Sequence, residues 1–294
     1  MGAVLFFGAA SWPAPVAAAA PILEKLLPKS QDAAAFEADA TALDAASPAD
    51  AFISDAYHDG KVALPFRYLR PQPMAGKQRY PLVLMLHGSG AIGRDNVAQL
   101  GLFARSWGLP AIRRQFPAFV VVPQFPARTA NYAADAADAE LSSQGTPELD
   151  AALALLARFT RDEAVDPARI YVVGFSMGAS AAWHAVLRRP GLFAAAVPIS
   201  GVAPARGLAP RLAATPLFLV HGNADTENPI GSDRLMYAAL AQAGARQLRL
   251  REYEGLDHRL PFEFLADTGW RNWLFAQRLP AAQHAAGKKA APAP

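Results

Sequence analysis

Arg169-Ile170-Tyr171-Val172-Val173-Gly174-Phe175-Ser176-Met177-Gly178-Ala179-Ser180-Ala181-Ala182-Trp183 is the stretch from which the fold can be read. Ile170 to Val173 is a short apolar run rich in β-branched residues, as in a buried strand. Gly174 to Gly178 fits Gly-x-Ser-x-Gly, and the alanine-rich continuation has high helix propensity. Strand, sharp turn and helix with a serine at the apex describe a nucleophile elbow. The glycines are needed because side chains two residues to either side of so tight a turn would collide with the flanking elements. The helix that follows aims its unpaired N–H groups at the serine.

Other segments repeat the strand–helix alternation. Ala63–Leu69, Leu82–Leu86, Phe119–Pro123, Ala194–Ser200, Pro216–Val220 and Gln247–Tyr253 read as strands. Thr146-Pro147-Glu148 reads as a helix start, with Leu149, Leu153, Leu156 and Phe159 at helical spacing behind it. Asp233–Ala243 and Phe264–Arg278 also read as helices. The alternation predicts an α/β fold: a mostly parallel central sheet with helices on both faces. Residues 124–145 read as a long polar loop with little periodicity, of the kind that walls binding sites; Gln124 and Tyr132 are its candidate substrate contacts.

The 294 residues suit one large domain with tails, assigned here to 51–279. Residues 1–20 resemble the apolar part of a secretory signal without its basic start, so export to a secreted or periplasmic location is the expectation. Residues 21–50 read as a helical or loosely ordered approach, and 280–294 as a disordered tail. No segment reads as a membrane span. Net charge is +3 with the basic residues scattered, so no nucleic-acid surface is expected. The absence of cysteine excludes disulfides and a thiol nucleophile. No His-Glu-x-x-His, dinucleotide loop or phosphate loop occurs, and neither a metal nor a cofactor is expected.

A serine nucleophile needs a base, and the base needs an orienting acid, in the chain order Ser, Asp or Glu, His. Of the six histidines, His58 and His87 precede Ser176, His184 lies on the elbow helix, His221 precedes the best acid, and His284 lies in the tail. That leaves His258. The acid should follow the strand ending at Val220; Asp225 fits, with Glu227 its nearest competitor and Asp257 a poorer one. An oxyanion needs preorganised donors, for which the N–H groups of Met177 and Ser89 are the candidates. His87 reads as an anchor for that loop.

Leu86-His87-Gly88-Ser89-Gly90, Gly93-Arg94-Asp95-Asn96, Val122-Pro123-Gln124, the elbow, Phe193 to Gly201 and His221-Gly222-Asn223-Ala224-Asp225 together resemble bacterial α/β-hydrolases of the peptidase and phospholipase/carboxylesterase type. These are similar to prolyl oligopeptidase catalytic domains and to feruloyl and polyhydroxybutyrate-type esterases. The resemblance covers roughly residues 60–280 and implies the α/β-hydrolase fold, a Ser-His-Asp triad and no cofactor. Ala179 stands where such proteins usually have a second glycine, and Asn228-Pro229 where they have Val-Pro. A hydrolase of small carboxylic esters is the leading expectation. A peptidase of short peptides or amides and a catalytically dead binding protein on the same scaffold are the alternatives.

Overall fold

The computed structural model describes residues 20–28, 41–43, 45–46, 49–60, 63–76, 78–135 and 139–280. The signal-like segment before Ala20 and the tail after Pro280 lie outside them. Among the described residues eleven strands run in chain order: β1 Ile22–Leu26, β2 Ile53–His58, β3 Ala63–Leu69, β4 Tyr80–Leu86, β5 Phe119–Pro123, β6 Ala130–Ala134, β7 Leu141–Gly145, β8 Val165–Phe175, β9 Ala195–Ile199, β10 Leu217–Gly222 and β11 Leu248–Tyr253. Among the described residues the four helices of eight or more residues are α1 Glu148–Asp162, α2 Met177–Arg188, α3 Gly231–Gln242 and α4 Gly269–Ala276.

Nine strands form one sheet in the order β1-β11-β10-β9-β8-β4-β5-β3-β2. All neighbours from β1 to β5 are parallel, and β3 and β2 are added antiparallel. This is the mostly parallel sheet expected. Its central strands are Val- and Leu-rich because both faces are covered, so alternate residues enter two different cores. Leu82, Leu84 and Leu86 of β4 share one core with Leu153 of α1, Ala182 of α2 and Leu240 of α3. Val83 and Met85 face the other way, towards Trp107, Trp270 and Leu274 of α4. Each buried Leu or Val contributes about 1.5–3 kcal/mol, so the two cores fix the register of β4 between β5 and β8. Helix α1 follows Pro147, carries Glu148 and Asp150 in its first turn, and buries Leu149, Leu153, Leu156 and Phe159.

Three expectations change. The stretch 124–145 is not a bare loop: β6 and β7 pair antiparallel, Ala130 with Gly145 through Ala134 with Leu141. Its strands are polar and alanine-rich, without the apolar alternation that marks a strand in sequence. The approach segment supplies a sheet strand, β1, whose Glu24 meets Arg251 of β11 at 2.7 Å. The closing helix is broken: a four-residue helix Glu263–Ala266 and α4 are separated by Asp267, which is extended, and Thr268.

The hairpin β6–β7 lies over α2. His184 Nε2 is 2.9 Å from Ser143 Oγ, and Arg188 reaches Gly145 O at 2.9 Å and Asp150 at 2.7 Å. Every residue of α2 from Met177 to Leu187 is buried. Its alanines are what let a helix fit between sheet and hairpin.

Candidate active site

The elbow is built as its glycines require. Ser176 has φ 55° and ψ −121°, a positive φ that costs a non-glycine residue of order 1–3 kcal/mol. Its N–H is held by Ile199 O at 2.9 Å. A Cβ at Gly174 would overlap the Gly178 carbonyl, and one at Gly178 would overlap the Leu86 carbonyl. Gly201 leaves the room that Ala179 takes up, since a Cβ there would stand 2.6 Å from the Ala179 methyl.

Ser176, His258 and Asp225 come together from three loops at the carboxyl ends of β8, β11 and β10, where parallel sheets place their sites. Ser176 Oγ donates to His258 Nε2 at 2.9 Å, and His258 Nδ1–H donates to Asp225 Oδ2 at 2.7 Å. The Asp225 side chain has no exposure and the His258 side chain 11%. Asp225 Oδ1 accepts from the N–H groups of Glu227 (2.9 Å) and Asn228 (2.8 Å). Burial works against its ionisation, but hydrogen bonds from His221, Asn228 N–H and His258 hold its carboxyl below the usual range. The acid and histidine loops are stitched to each other: Asn223 N–H to Tyr253 O, Ala224 N–H to Leu256 O, and Gly255 N–H to Asn223 Oδ1. Gly222 permits this approach, because a Cβ there would meet Leu256 O. Neither competing acid meets His258 Nδ1. Glu227 is largely exposed with its carboxylate 3.7 Å from Nε2, and Asp257 pairs with Arg259.

Met177 opens α2, and the helical ladder begins with the Ala179 and Ser180 N–H groups on Ser176 O. The Met177 N–H therefore lies free at the positive end of the helix beside Ser176. The loop after β4 faces it: a Cβ at Gly88 would stand 3.5 Å from the Ser176 Cβ. Ser89 follows in an exposed turn. His87 anchors this loop as expected. Its Nε2 accepts Phe125 N–H at 3.0 Å, so the proton sits on Nδ1 and is donated to Gly88 O at 2.8 Å. Burial pulls His87 below the ordinary histidine value and outweighs the pull of Gly88 O towards the charged form.

Neither candidate substrate contact lines the cavity described below. Gln124 is fully buried, and its amide is spent on the loop beside it. Oε1 accepts Asn96 N–H at 2.6 Å, and Nε2 donates to Asp95 at 2.9 Å and Ala91 O at 3.3 Å. It shapes residues 91–96 instead of meeting a substrate. The Tyr132 hydroxyl accepts from Ser180 Oγ at 3.1 Å while Arg128 lies 5.1 Å over its ring. It braces the first turn of α2 and does not line the cavity.

A cavity of 470 Å³ opens beside His258 and Gly88, walled by Met85, Phe103, Val122, Phe175, Leu260 and Leu265. Phe175 also packs on the His258 ring, centroids 5.2 Å apart. The walls come from the ends of β4, β5 and β8 and from the segments around Phe103 and Leu260–Leu265, and are ordinary core-type residues, so nothing in the sequence marks them. His221 and Asp233 are further residues at the site that the sequence reading passed over. Among the described residues no group of His, Cys, Asp or Glu is arranged to hold a metal ion, and no helix is long and apolar enough to cross a membrane.

A profile of the phospholipase/carboxylesterase family matches residues 74–269, more than half of the chain. No curated protein matches it. Among solved structures the chain is similar to a thermostable esterase, 28% identical with a TM-score of 0.68, over 78% of this chain and 64% of that one. It is similar in fold to Est1E from Butyrivibrio proteoclasticus (13% identity, TM-score 0.54, 76% and 99% of the two chains). The same holds for an acylaminoacyl peptidase of Pyrococcus horikoshii (12%, 0.56, 78% and 42%). The chain thus spans just under two thirds of the esterase and less than half of the peptidase.

Proposed function

The chain belongs to the phospholipase/carboxylesterase family of α/β-hydrolases, and from that premise we propose that it is a serine hydrolase of carboxylic esters carrying an apolar group. The observation that supports this most directly is the Ser176–His258–Asp225 chain of hydrogen bonds, 2.9 and 2.7 Å, at the mouth of the apolar cavity.

In this reading Ser176 Oγ attacks the ester carbonyl carbon as its proton passes to His258 Nε2. Asp225 keeps the other ring proton on Nδ1, which fixes the tautomer and stabilises the imidazolium that forms. The carbonyl oxygen, now an anion, turns towards the N–H groups of Met177 and Ser89, each worth about 3–4 kcal/mol in the transition state. His258 then gives its proton to the departing alkoxide. Water repeats the sequence on the acyl-enzyme and restores Ser176. The cavity receives the apolar part of the substrate, where displaced water adds to binding.

Turnover of p-nitrophenyl esters, with aminoacyl anilides run alongside, tests the reading. Ester turnover should fall by roughly 10⁴–10⁶ in Ser176→Ala, and a fluorophosphonate should label the wild type at Ser176. Faster turnover of the anilides would replace the esterase with an amidase. Failure to label would leave a binding protein.

A further inference from the structure

His221 and Asp233 form a buried pair directly behind Asp225. His221 Nδ1 lies 2.8 Å from Asp233 Oδ2, with side-chain exposures of 0% and 1%. His221 Nε2 lies 2.7 Å from Asn228 O and 3.4 Å from Asp225 Oδ2. A carbonyl can only accept, so Nε2 carries a proton. Nδ1 and Asp233 Oδ2 then share one proton, either as imidazolium facing carboxylate or as imidazole facing carboxylic acid. In both forms the pair is neutral and presents the same N–H to the acid loop.

The placement closes the loop. His221 stands at the end of β10 and Asp233 in the first turn of α3, with residues 223–230 between them. Their hydrogen bond ties the two ends, and the Nε2–H holds the middle at Asn228. Asn228 donates its own N–H to Asp225 Oδ1 at 2.8 Å and its amide to Ser200 O at 2.8 Å. Other charge near His221 is already matched: Glu252, beside it on β11, pairs with Arg234 at 2.7 Å. A buried ion pair adds little to stability and can often be replaced by apolar side chains without loss. Stability alone therefore does not account for two ionisable groups at this place.

The geometry points to His221 and Asp233 as positioning residues that hold the loop carrying Asp225, so that Asp225 Oδ2 meets His258 Nδ1–H at catalytic distance; this rests on the ester-hydrolase reading above. Burial lowers the basicity of His221, but its hydrogen bonds to the two aspartates outweigh it and carry it up to about 9, while burial holds the Asp233 carboxyl above its usual range, so the shared proton stays within the pair.

The test replaces both groups, His221→Leu with Asp233→Leu, in the wild type and in Asp225→Ala. Removing both groups leaves no lone buried charge but strands the Asn228 carbonyl, so the melting temperature should fall by only the few degrees that one unpaired acceptor costs. In the Asp225-containing protein kcat should fall about 10²-fold, the cost of roughly an ångström of misplacement, with KM little changed. In the Asp225→Ala background the same pair should cost almost nothing more, because its effect passes through Asp225. Unchanged kcat in the folded variant, or the same loss in both backgrounds, would overturn the assignment. Should the double replacement not fold, Asp233→Asn, nearly isosteric, goes through the same cycle with the same criteria. The low-field proton resonance of His258 Nδ1–H gives a readout that needs no substrate. It should shift in these variants even if the ester reading fails, and an unmoved resonance counts against the pair alone. Ester turnover that survives Ser176→Ala counts against the esterase alone.

Discussion

An Asp225→Asn substitution changes one oxygen into an NH₂ group, and the structure decides which. Asp225 Oδ1 accepts two backbone N–H groups, from Glu227 at 2.9 Å and Asn228 at 2.8 Å. An asparagine keeps both only by leaving its carbonyl oxygen there, which turns the NH₂ towards His258 Nδ1. Two donors cannot face each other, so His258 gives up its Nδ1 proton and moves it to Nε2. A protonated Nε2 cannot accept from Ser176 Oγ. The predicted result is a kcat about 10⁴-fold lower, as expected for a base trapped in the wrong tautomer, or about 5.5 kcal/mol of barrier. The fold should persist, since both loop N–H groups keep their acceptor. The assay is steady-state hydrolysis of a p-nitrophenyl ester at pH 7 with a thermal melt on the same sample. A folded variant within tenfold of the wild-type rate would refute the assignment of Asp225 as the orienting acid.

Filling the cavity by Leu265→Trp should raise KM for long-chain acyl esters and spare acetyl esters; a uniform change across chain lengths would remove this cavity from the binding site. His184 is pulled down to about 4 by burial and by Arg188. The unfolded chain therefore takes up the proton first as pH falls. Stability that is present above the ordinary value of 6.5 should then decline between 6.5 and about 4, at up to about 1.4 kcal/mol per pH unit. Melting curves over that range check it, and His184→Gln should flatten the decline. Arg271 is fully buried between Trp107 and Trp270, with its guanidinium donating to Ser106 Oγ at 2.7 Å, Asp267 O at 2.8 Å and Leu265 O at 3.1 Å. Arg271→Met should strand those acceptors, cost about 3–4 kcal/mol and lower Tm by roughly 10 °C; a shift under two degrees would disprove this.

The sheet and the elbow were legible because their signals are local. Apolar runs such as Leu82–Leu86 and Val120–Val122 are buried on both faces, and Gly174 and Gly178 answer to contacts no other residue tolerates. The meeting of Ser176, Asp225 and His258 was legible as well, since parallel strands bring their carboxyl ends to one rim. Gln124 was misjudged because a conspicuous polar residue at a strand end looks like a ligand contact, while its three partners at 91–96 are set by tertiary folding. The hairpin β6–β7 escaped because its strands pack on α2 through Ser143 and Tyr132 and not through an apolar stripe. Strand β1 escaped for a related reason: Ile22 to Leu26 carries two charges in five residues and acquires its identity only beside β11. The partnership of His221 with Asp233 joins a strand end to a helix start, and no spacing rule announces it.

Those two charges have a consequence of their own. Without β1, the parallel strand β11 would end the sheet with an open row of backbone donors and acceptors, a template on which another molecule could add a strand. With β1 in place the outermost strand is five residues long, and Glu24 and Lys25 sit at its middle. A second molecule adding a strand there would bring its own side chains alongside Glu24 and Lys25, of which Glu24 is already held by Arg251. The segment that looks like a loose approach to the domain thus covers the edge of β11 with a short, charged strand. A chain shortened past Leu26 should lose solubility before it loses its active-site geometry.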